Sequence, residues 1–410
     1  MAVHVVKEAR RCLLCKKPMC VEGCPVRTPI PEMIRCFLNG QSAQAGETLF
    51  RNNPLSLVCS LVCDHDKQCE GHCVQAKKGM AVQWSSIENY ISDTYLDRTK
   101  FDNIRKNHIK AAIIGSGPAG LTIAVILAQK GYDITLFESR DKIGGVLRYG
   151  IPEFRLPKSI LDRYKAILES LEIKIRPNTT IGGALTVDSL FRDGYKAIFI
   201  GTGVWRPRTL GVRGESLGNV HYAIDYLVNP DVYKLGDNVA IIGVGNSAID
   251  VARTAIRHGS RHVSVYARSK HTAASAREID YAIADGVEIH YGMQIQEITD
   301  KGPVFRKAEF NENNEIVNYG EEMLYPADTT IVAVSQGPKD KIVNTTTGIA
   351  TKENGLVWTD QSGQTTHKGV FASGDVVKGA KTVVDAVRFS REVAEAMDQY
   401  MQGLTEESEM

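Results

Sequence analysis

After Cys73 the chain contains no cysteine: its nine are Cys12, Cys15, Cys20, Cys24, Cys36, Cys59, Cys63, Cys69 and Cys73. Whatever redox chemistry the larger part of the chain performs, no internal dithiol takes part in it. Long apolar runs are missing too, since no stretch approaches the roughly 18 uninterrupted apolar residues of a membrane-spanning helix. The opening "MAVHVVKEARRC" lacks the basic-then-apolar order of an export signal. A cytoplasmic protein with no membrane partner is expected. Charge of one sign is not in excess: the formal net charge is +1 and the basic residues are spread out, which leaves no footprint for nucleic acid. No Ser/His/Asp or His-Glu-x-x-His arrangement advertises hydrolysis, and His258, His262 and His290 read as ordinary polar or packing residues.

What is present is a soluble-enzyme balance, with 43% apolar and 24% charged residues in 410. That length predicts two or three domains. The front of the chain carries two cysteine sets, C-x2-C-x4-C-x3-C-P and C-x3-C-x5-C-x3-C. In a reducing compartment such sets point to metal rather than disulfides. Four thiolates suit either zinc or an iron–sulfur cluster, and the proline-closed first set is close to the bacterial ferredoxin run. The surrounding text reads helical, with a break at Asn39-Gly40 and a helix led by serine ahead of Glu88 in "SSIENYISDTYLDRT". Cys36, between apolar neighbours, reads as a small buried hydrophobe.

Beyond "KNH" the pattern changes to a β-branched strand, Gly115-Ser-Gly117-Pro-Ala-Gly120, a helix, and a second strand ending at Glu138. Strand, tight turn, helix, strand and acid together form a dinucleotide fingerprint. Gly115 allows the turn, Gly117 admits the pyrophosphate, Gly120 lets helix meet strand, and Glu138 can accept from ribose hydroxyls. The signature returns at Gly243-Val-Gly245-Asn-Ser-Ala248, followed by a helix and a strand that ends near Tyr266. There Arg268 and Lys270 stand where an acid would select the ribose diol, which leans toward a 2′-phosphate; Arg277 could help. Asp250 reads as local polar packing at the start of that helix.

Late in the chain a strand leads to Gly374-Asp375 and then a helix from about Thr382, which suggests that the first fold closes after an insertion. At this point the chain resembles the two-dinucleotide-domain flavoprotein reductases. That likeness implies FAD in the first site, with Gly374 and Asp375 at the flavin ribityl and pyrophosphate, and a nicotinamide nucleotide in the second. With flavin and nicotinamide as company, iron is favoured over zinc for the cysteine sets.

From "EARRCLLC" through "GGVLRYGIPEFRLPKSILD" to "ASGDVVKGAKTVV", the whole chain resembles the glutamate synthase small subunit family, which includes the electron-input subunit of bacterial dihydropyrimidine dehydrogenase. The resemblance implies interleaved clusters: one [4Fe-4S] on Cys12, Cys15, Cys20 and Cys73, the other on Cys24, Cys63 and Cys69 with Glu88 as fourth ligand. Unaided spacing would have given that fourth place to Cys59. It also implies Gly144 and Gly145 beside the flavin pyrophosphate; Arg155 orders that loop either by an ion pair or by touching flavin. "VYARS" looks more like the pyrimidine-reducing branch, which uses NADH, because glutamate synthase small subunits show a double arginine at Ala267-Arg268. NADH and NADPH both stay open.

The expected fold is α/β: a helical module with two [4Fe-4S] clusters at 1–108, an FAD domain at 109–228 and 335–410, and an inserted NAD(P)H domain at 229–334. The expected activity is hydride transfer from NAD(P)H to FAD and onward passage of electrons to a partner. Candidate partners are an FMN-containing or other catalytic subunit, or ferredoxin. Dihydropyrimidine dehydrogenase is the first reading, and NADPH-dependent glutamate synthase or a ferredoxin-linked transhydrogenase or sulfide dehydrogenase complex the alternatives. No side chain is singled out as a general acid or base.

Overall fold

A computed structural model describes residues 4–101, 104–270 and 272–409. The chain divides into two compact units: Met1–Arg148 with Glu153–Val204 and Pro338–Met410, and Tyr149–Pro152 with Trp205–Gly337.

The first unit begins as a set of short helices. Ile30–Leu38 and Ser42–Asn52 are separated at Asn39-Gly40, where Gly40 takes φ +78°. Ile30, Met33, Ile34 and Phe37 of the first helix meet Ala45 and Leu49 of the second and Trp84, Ile87 and Ile91 of the long helix Trp84–Arg98. Cysteines complete this core: Cys69 lies within it, and Cys12, Cys20, Cys24, Cys36 and Cys73 pack against its edge. The serine-led start expected for the long helix falls one residue inside it. Gln83 occupies the cap position without a side-chain bond, and the Ser85 N–H instead donates to the buried Glu70 carboxylate at 2.8 Å. A carboxylate brought from another loop satisfies an orphan donor and sits favourably at the positive end of the helix.

The rest of the first unit is a doubly wound fold. Its five parallel strands run in the order Val370–Ala372, Ala197–Ile200, Lys110–Ile114, Asp133–Phe137, Lys174–Arg176. The inner strands are buried on both faces, which is why "KAAII" and "AIFI" read as continuous apolar runs. The helix Pro118–Gln129 crosses from the first strand to the second, and the C-terminal helix Val383–Glu409 packs along it. That last helix starts where expected, with the Thr382 hydroxyl accepting from the Asp385 N–H at 3.3 Å. Tyr132 and Lys130 fasten it, donating to Asp398 at 2.5 and 2.7 Å.

The second unit has its own parallel sheet, ordered Val220–Tyr222, Thr329–Val332, Asn238–Ile242, His262–Ala267, Glu288–Tyr291. An antiparallel meander, Met293–Thr299, Gly302–Phe310 and Ile316–Leu324, is added to it in sequence. Residues 205–228, expected in the first dinucleotide fold, belong to this unit instead. The reason is pairing: Val220–Tyr222 is hydrogen-bonded to Thr329–Val332 and so forms the edge of the second sheet. The helical front and the first dinucleotide fold, expected as separate domains, fall together in the first unit.

Candidate functional site

In the first fingerprint each glycine answers a different steric demand. Gly115 has φ +97°, and a Cβ there would lie 2.6 Å from the Gly201 carbonyl oxygen. A Cβ on Gly120 would lie 1.9 Å from the Gly115 oxygen, so helix and turn touch only because that side chain is a hydrogen. Gly117 differs. Its φ is −70°, and a Cβ there would meet no protein atom within 4 Å. Open space at a helix N-terminus, with backbone N–H groups facing it, is what a pyrophosphate requires.

Glu138 ends the second strand, buried and facing this turn. It accepts from the Ser116 N–H at 3.0 Å, from the Ser116 hydroxyl, and from the Arg140 N–H at 2.8 Å. Gly144 and Gly145 close the cradle from the far side with φ +122° and +51°, and a Cβ on Gly145 would come within 2.7 Å of Gly117 Cα. Ser116, which the sequence reading passed over, joins the pieces: its hydroxyl bonds Glu138 and accepts from the Gly144 N–H at 3.1 Å. Gly374, at φ +75°, brings the late Gly-Asp pair against Ala119 of the same crossover helix. Burial above all, aided by Asp385, pushes the Asp375 carboxyl up to about 6, against the relief it gains by accepting the Lys381 N–H at 3.1 Å. Arg155 is half-buried in the turn that precedes the helix Lys158–Ser170.

The second fingerprint repeats this division of labour. Gly243 takes φ +122° against the Ala333 carbonyl oxygen, 2.4 Å from where a Cβ would sit, while Gly245 again faces open space. Ala248 is fully buried at the start of the helix Asn246–Arg257. Asp250 is buried in that helix. Arg268 and Arg277 are exposed, and Lys270 is engaged with Asn314 at 2.8 Å and lies over the Phe310 ring.

The cysteines assemble in two groups that do not follow their order in the chain. Cys12 lies within electrostatic reach of Cys15 and Cys73, and Cys20 of Cys73, Cys12 and Cys15. Burial first, then these neighbours, pushes Cys12 up and Cys20 to about 11. The four line one cavity with Cys69, Ile34 and Trp84. In the second group Cys24, Cys63 and Cys69 all lie within reach of Glu88. Glu88 is buried, and desolvation before anything else holds its carboxyl well above the usual range. Cys59 is buried one helical turn from Cys63, and the two thiols share a hydrogen bond. Cys59 neighbours Cys63 and Glu88 of this group, and Cys24 and Cys69 have Glu88 among their principal neighbours.

Among the described residues, no three His, Cys, Asp or Glu side chains close around a point as they would around one ion. Both groups nonetheless have the electrostatics of a cation-binding cradle. Acidic groups of one sign are gathered in a poorly solvated place, where each disfavours the ionisation of the next. A metal–sulfur core reverses that balance by supplying the missing positive charge.

Comparison with known proteins shows the family to which these features belong. Residues 109–390 match the family described as pyridine nucleotide-disulphide oxidoreductase, and residues 2–100 match dihydropyrimidine dehydrogenase domain II, 4Fe-4S cluster. The glutamate synthase [NADPH] small chain of Halomonas elongata is 34% identical, over 96% of this chain and 90% of that one. The chain belongs to the glutamate synthase small subunit family. It is a flavin- and iron–sulfur-type NAD(P)H oxidoreductase. Another member of similar likeness is the NAD-dependent dihydropyrimidine dehydrogenase subunit PreT of Escherichia coli, 32% identical over 97% of this chain and 94% of that one. Among solved structures, FprA of Mycobacterium tuberculosis in complex with NADPH shares the fold at TM-score 0.60 and 17% identity, over 74% of this chain and 86% of that one. Within this family the chain has no helix, among its described residues, that is long and apolar enough to cross a membrane.

Two expectations follow. Gly117→Ala should fold and keep its melting temperature in the flavin-free state yet purify without flavin, because only a cofactor would meet the added methyl group. Gly120→Ala should instead lose several kcal/mol of stability through its clash with the Gly115 carbonyl. Flavin absorbance and thermal melts of both variants check this. In flavin-free protein the raised Asp375 carboxyl should weaken the fold as pH climbs from about 4 to about 6, since the folded state releases that proton later than the unfolded one. Asp375→Asn should therefore gain about 2 to 3 kcal/mol on the wild type across that window, with no further gain above it. Denaturant titrations at several pH values measure the difference.

Proposed function

We propose that this chain is the electron-input subunit of a larger oxidoreductase. The second fingerprint, Gly243, Gly245 and Ala248 with Arg268 nearby, would hold NADH or NADPH. The first, Gly115, Gly117, Gly120 and Glu138 with Gly144, Gly145, Gly374 and Asp375, would hold FAD. Two [4Fe-4S] clusters would be held by Cys12, Cys15, Cys20 and Cys73, and by Cys24, Cys63, Cys69 and Glu88. When bound, FAD accepts a hydride pair and iron–sulfur clusters carry single electrons, so together they join a two-electron donor to one-electron acceptors.

The observation that carries this reading is the interleaving of the cysteine groups. Cys73 neighbours Cys12 and Cys20, and Cys24 neighbours Cys69, so in this reading each group draws on both ends of the module and one ligand loop would serve two sites. The surroundings of the groups suggest an order. The four cysteines of the first are all partly exposed, whereas in the second Cys69 and Glu88 are buried and Cys24 and Cys63 partly exposed. The second is backed by the flavin fold: Tyr164, on the helix Lys158–Ser170, lies within reach of Cys59 and Glu88. From the C-terminal helix, Arg391 donates to the Val26 carbonyl at 3.2 Å and to Asn52 Oδ1 at 3.0 Å. Asn52 in turn donates to Thr28, whose hydroxyl lies 3.4 Å from Cys24 Sγ. The protein's own part includes placing one cation, Arg391, beside Cys24.

For the terminal reaction we favour reduction of a pyrimidine such as uracil or thymine on an FMN-bearing partner in the cytoplasm. Supporting it are the match of residues 2–100 and the single arginine in "VYARS". The likeness to glutamate synthase small chains keeps an amidotransferase-type partner as the second reading. Anaerobic isolation of the tagged protein from its own cells, with native masses of every copurifying chain, separates the two. A partner the size of one FMN-bearing barrel supports the first, and one several times larger supports the second.

Ligand assignment has its own test. Glu88→Ala should lower bound iron from about eight atoms toward about four, or visibly change the spectrum of one cluster, whereas Cys59→Ala should keep both clusters. Loss of iron in the cysteine variant alone would return the fourth place to Cys59.

A further inference from the structure

The segments on either side of the first cysteine group form one face. Arg11 donates to the Ala81 carbonyl at 3.1 Å and to the Met80 carbonyl, and Gln75 donates to the Arg11 carbonyl at 2.9 Å. These bonds hold residues 11–20 against residues 74–81. Three large apolar side chains stand out from that face: Leu13 is 60% exposed, Met19 48% and Met80 67%. Leu13 and Met19 also line the cavity shared by Cys12, Cys15, Cys20 and Cys73. In sequence they are bracketed by Arg10, Lys16, Lys17, Lys77 and Lys78, all exposed and none in an ion pair with a described residue. The carboxylates of the same segments are already taken, Glu8 by Arg11 at 2.5 Å and Glu22 by Arg27 at 2.6 Å.

Exposed apolar side chains flanked by charge are interface anatomy, and here five exposed cations without ion-pair partners among the described residues fall on the two segments that carry them. Such charge repels basic proteins and draws in acidic ones. We propose that this face is the electron exit and that its occupant is an acidic protein carrying a one-electron centre behind a ring of carboxylates. The inference rests on the reading of Cys12, Cys15, Cys20 and Cys73 as cluster ligands and adds to it the surface and the charge of the partner. The balance is simple. Each NAD(P)H oxidised to NAD(P)+ releases one proton and supplies two electrons, so two acceptor molecules are each reduced by one electron here.

The test uses the full-length, cluster-loaded protein and two probe acceptors, rubredoxin, which is small and acidic, and cytochrome c, which is basic. Wild-type kcat/KM for rubredoxin should fall about tenfold or more as salt rises from about 20 to about 200 mM. Combining Lys16→Glu, Lys17→Glu, Lys77→Glu and Lys78→Glu should lower the low-salt value by a similar factor and raise that for cytochrome c. The rate of flavin bleaching by NAD(P)H, read in the same samples, should not change. Rubredoxin reduction indifferent to both salt and charge reversal, in protein that retains its iron, overturns the docking proposal and leaves the cluster reading standing. Wild-type protein without iron and sulfide overturns both. A native-mass dimer that the charge reversal dissociates would assign the face to a second copy of this chain and overturn the acidic partner.

Discussion

The constraint on which the structure of the front module depends is the confinement of acidic groups of one sign. Desolvation raises Cys24, Cys69 and Glu88 and contributes to raising Cys63, and Glu88 disfavours ionisation of all three thiols, while Arg391 lies beside Cys24. Evolution toward stability alone would have replaced such a group with apolar side chains, since a buried ionisable group adds nothing to a core that leucine would not. Its retention makes sense if the module folds around positive charge that it does not itself contain. The same constraint accounts for the short helices, the continuity of the cysteines with the apolar core, and the use of Glu70 to cap the long helix from a distance.

The dinucleotide folds depend on a different economy, in which glycine serves two ends. Gly115, Gly120 and Gly243 are required by the chain itself, because a Cβ at any of them would run into backbone. Gly117 and Gly245 are required by nothing in the chain: both have ordinary φ values and empty surroundings. A residue type that costs unfolded-state entropy and yields no packing is best explained by something outside the protein that approaches there. The fingerprint therefore divides into positions that build the turn and positions that leave room.

This division explains what was legible in the sequence. The strand, turn and helix around Gly115 and Gly243 could be read because local chemistry dictates them, and the C-terminal helix from Thr382 could be read for the same reason. The edge strand Val220–Tyr222 could not, since its membership is decided by pairing with Thr329–Val332, more than a hundred residues away. The meander Met293–Leu324 escaped notice because its last strand is mostly solvent-facing and has little apolar pattern. In the cluster module, spacing identified the cysteines, but which of them neighbour one another is decided by the fold. Spacing paired Cys59 with Cys63 as equals, whereas Cys24 and Cys69 have Glu88, from a helix further along, among their principal neighbours. Ser116 and Arg391 were invisible for a similar reason: each matters through a partner that only folding brings near.

The two cysteine groups also differ in what surrounds them, and the difference has a functional sense. Around the second, Tyr164 and Arg391 lie close by, and Cys69 and Glu88 are buried while Cys24 and Cys63 stay partly exposed. Around the first, the chain leaves Leu13, Met19 and Met80 in water and adds lysines without partners. A small apolar contact gives proximity at the docked face, and long-range charge gives capture and orientation. Because salt screens the charge and leaves the apolar contact untouched, the two parts are separable in principle. The lysines govern how often a partner arrives, and the exposed methionines and leucine govern how long it stays.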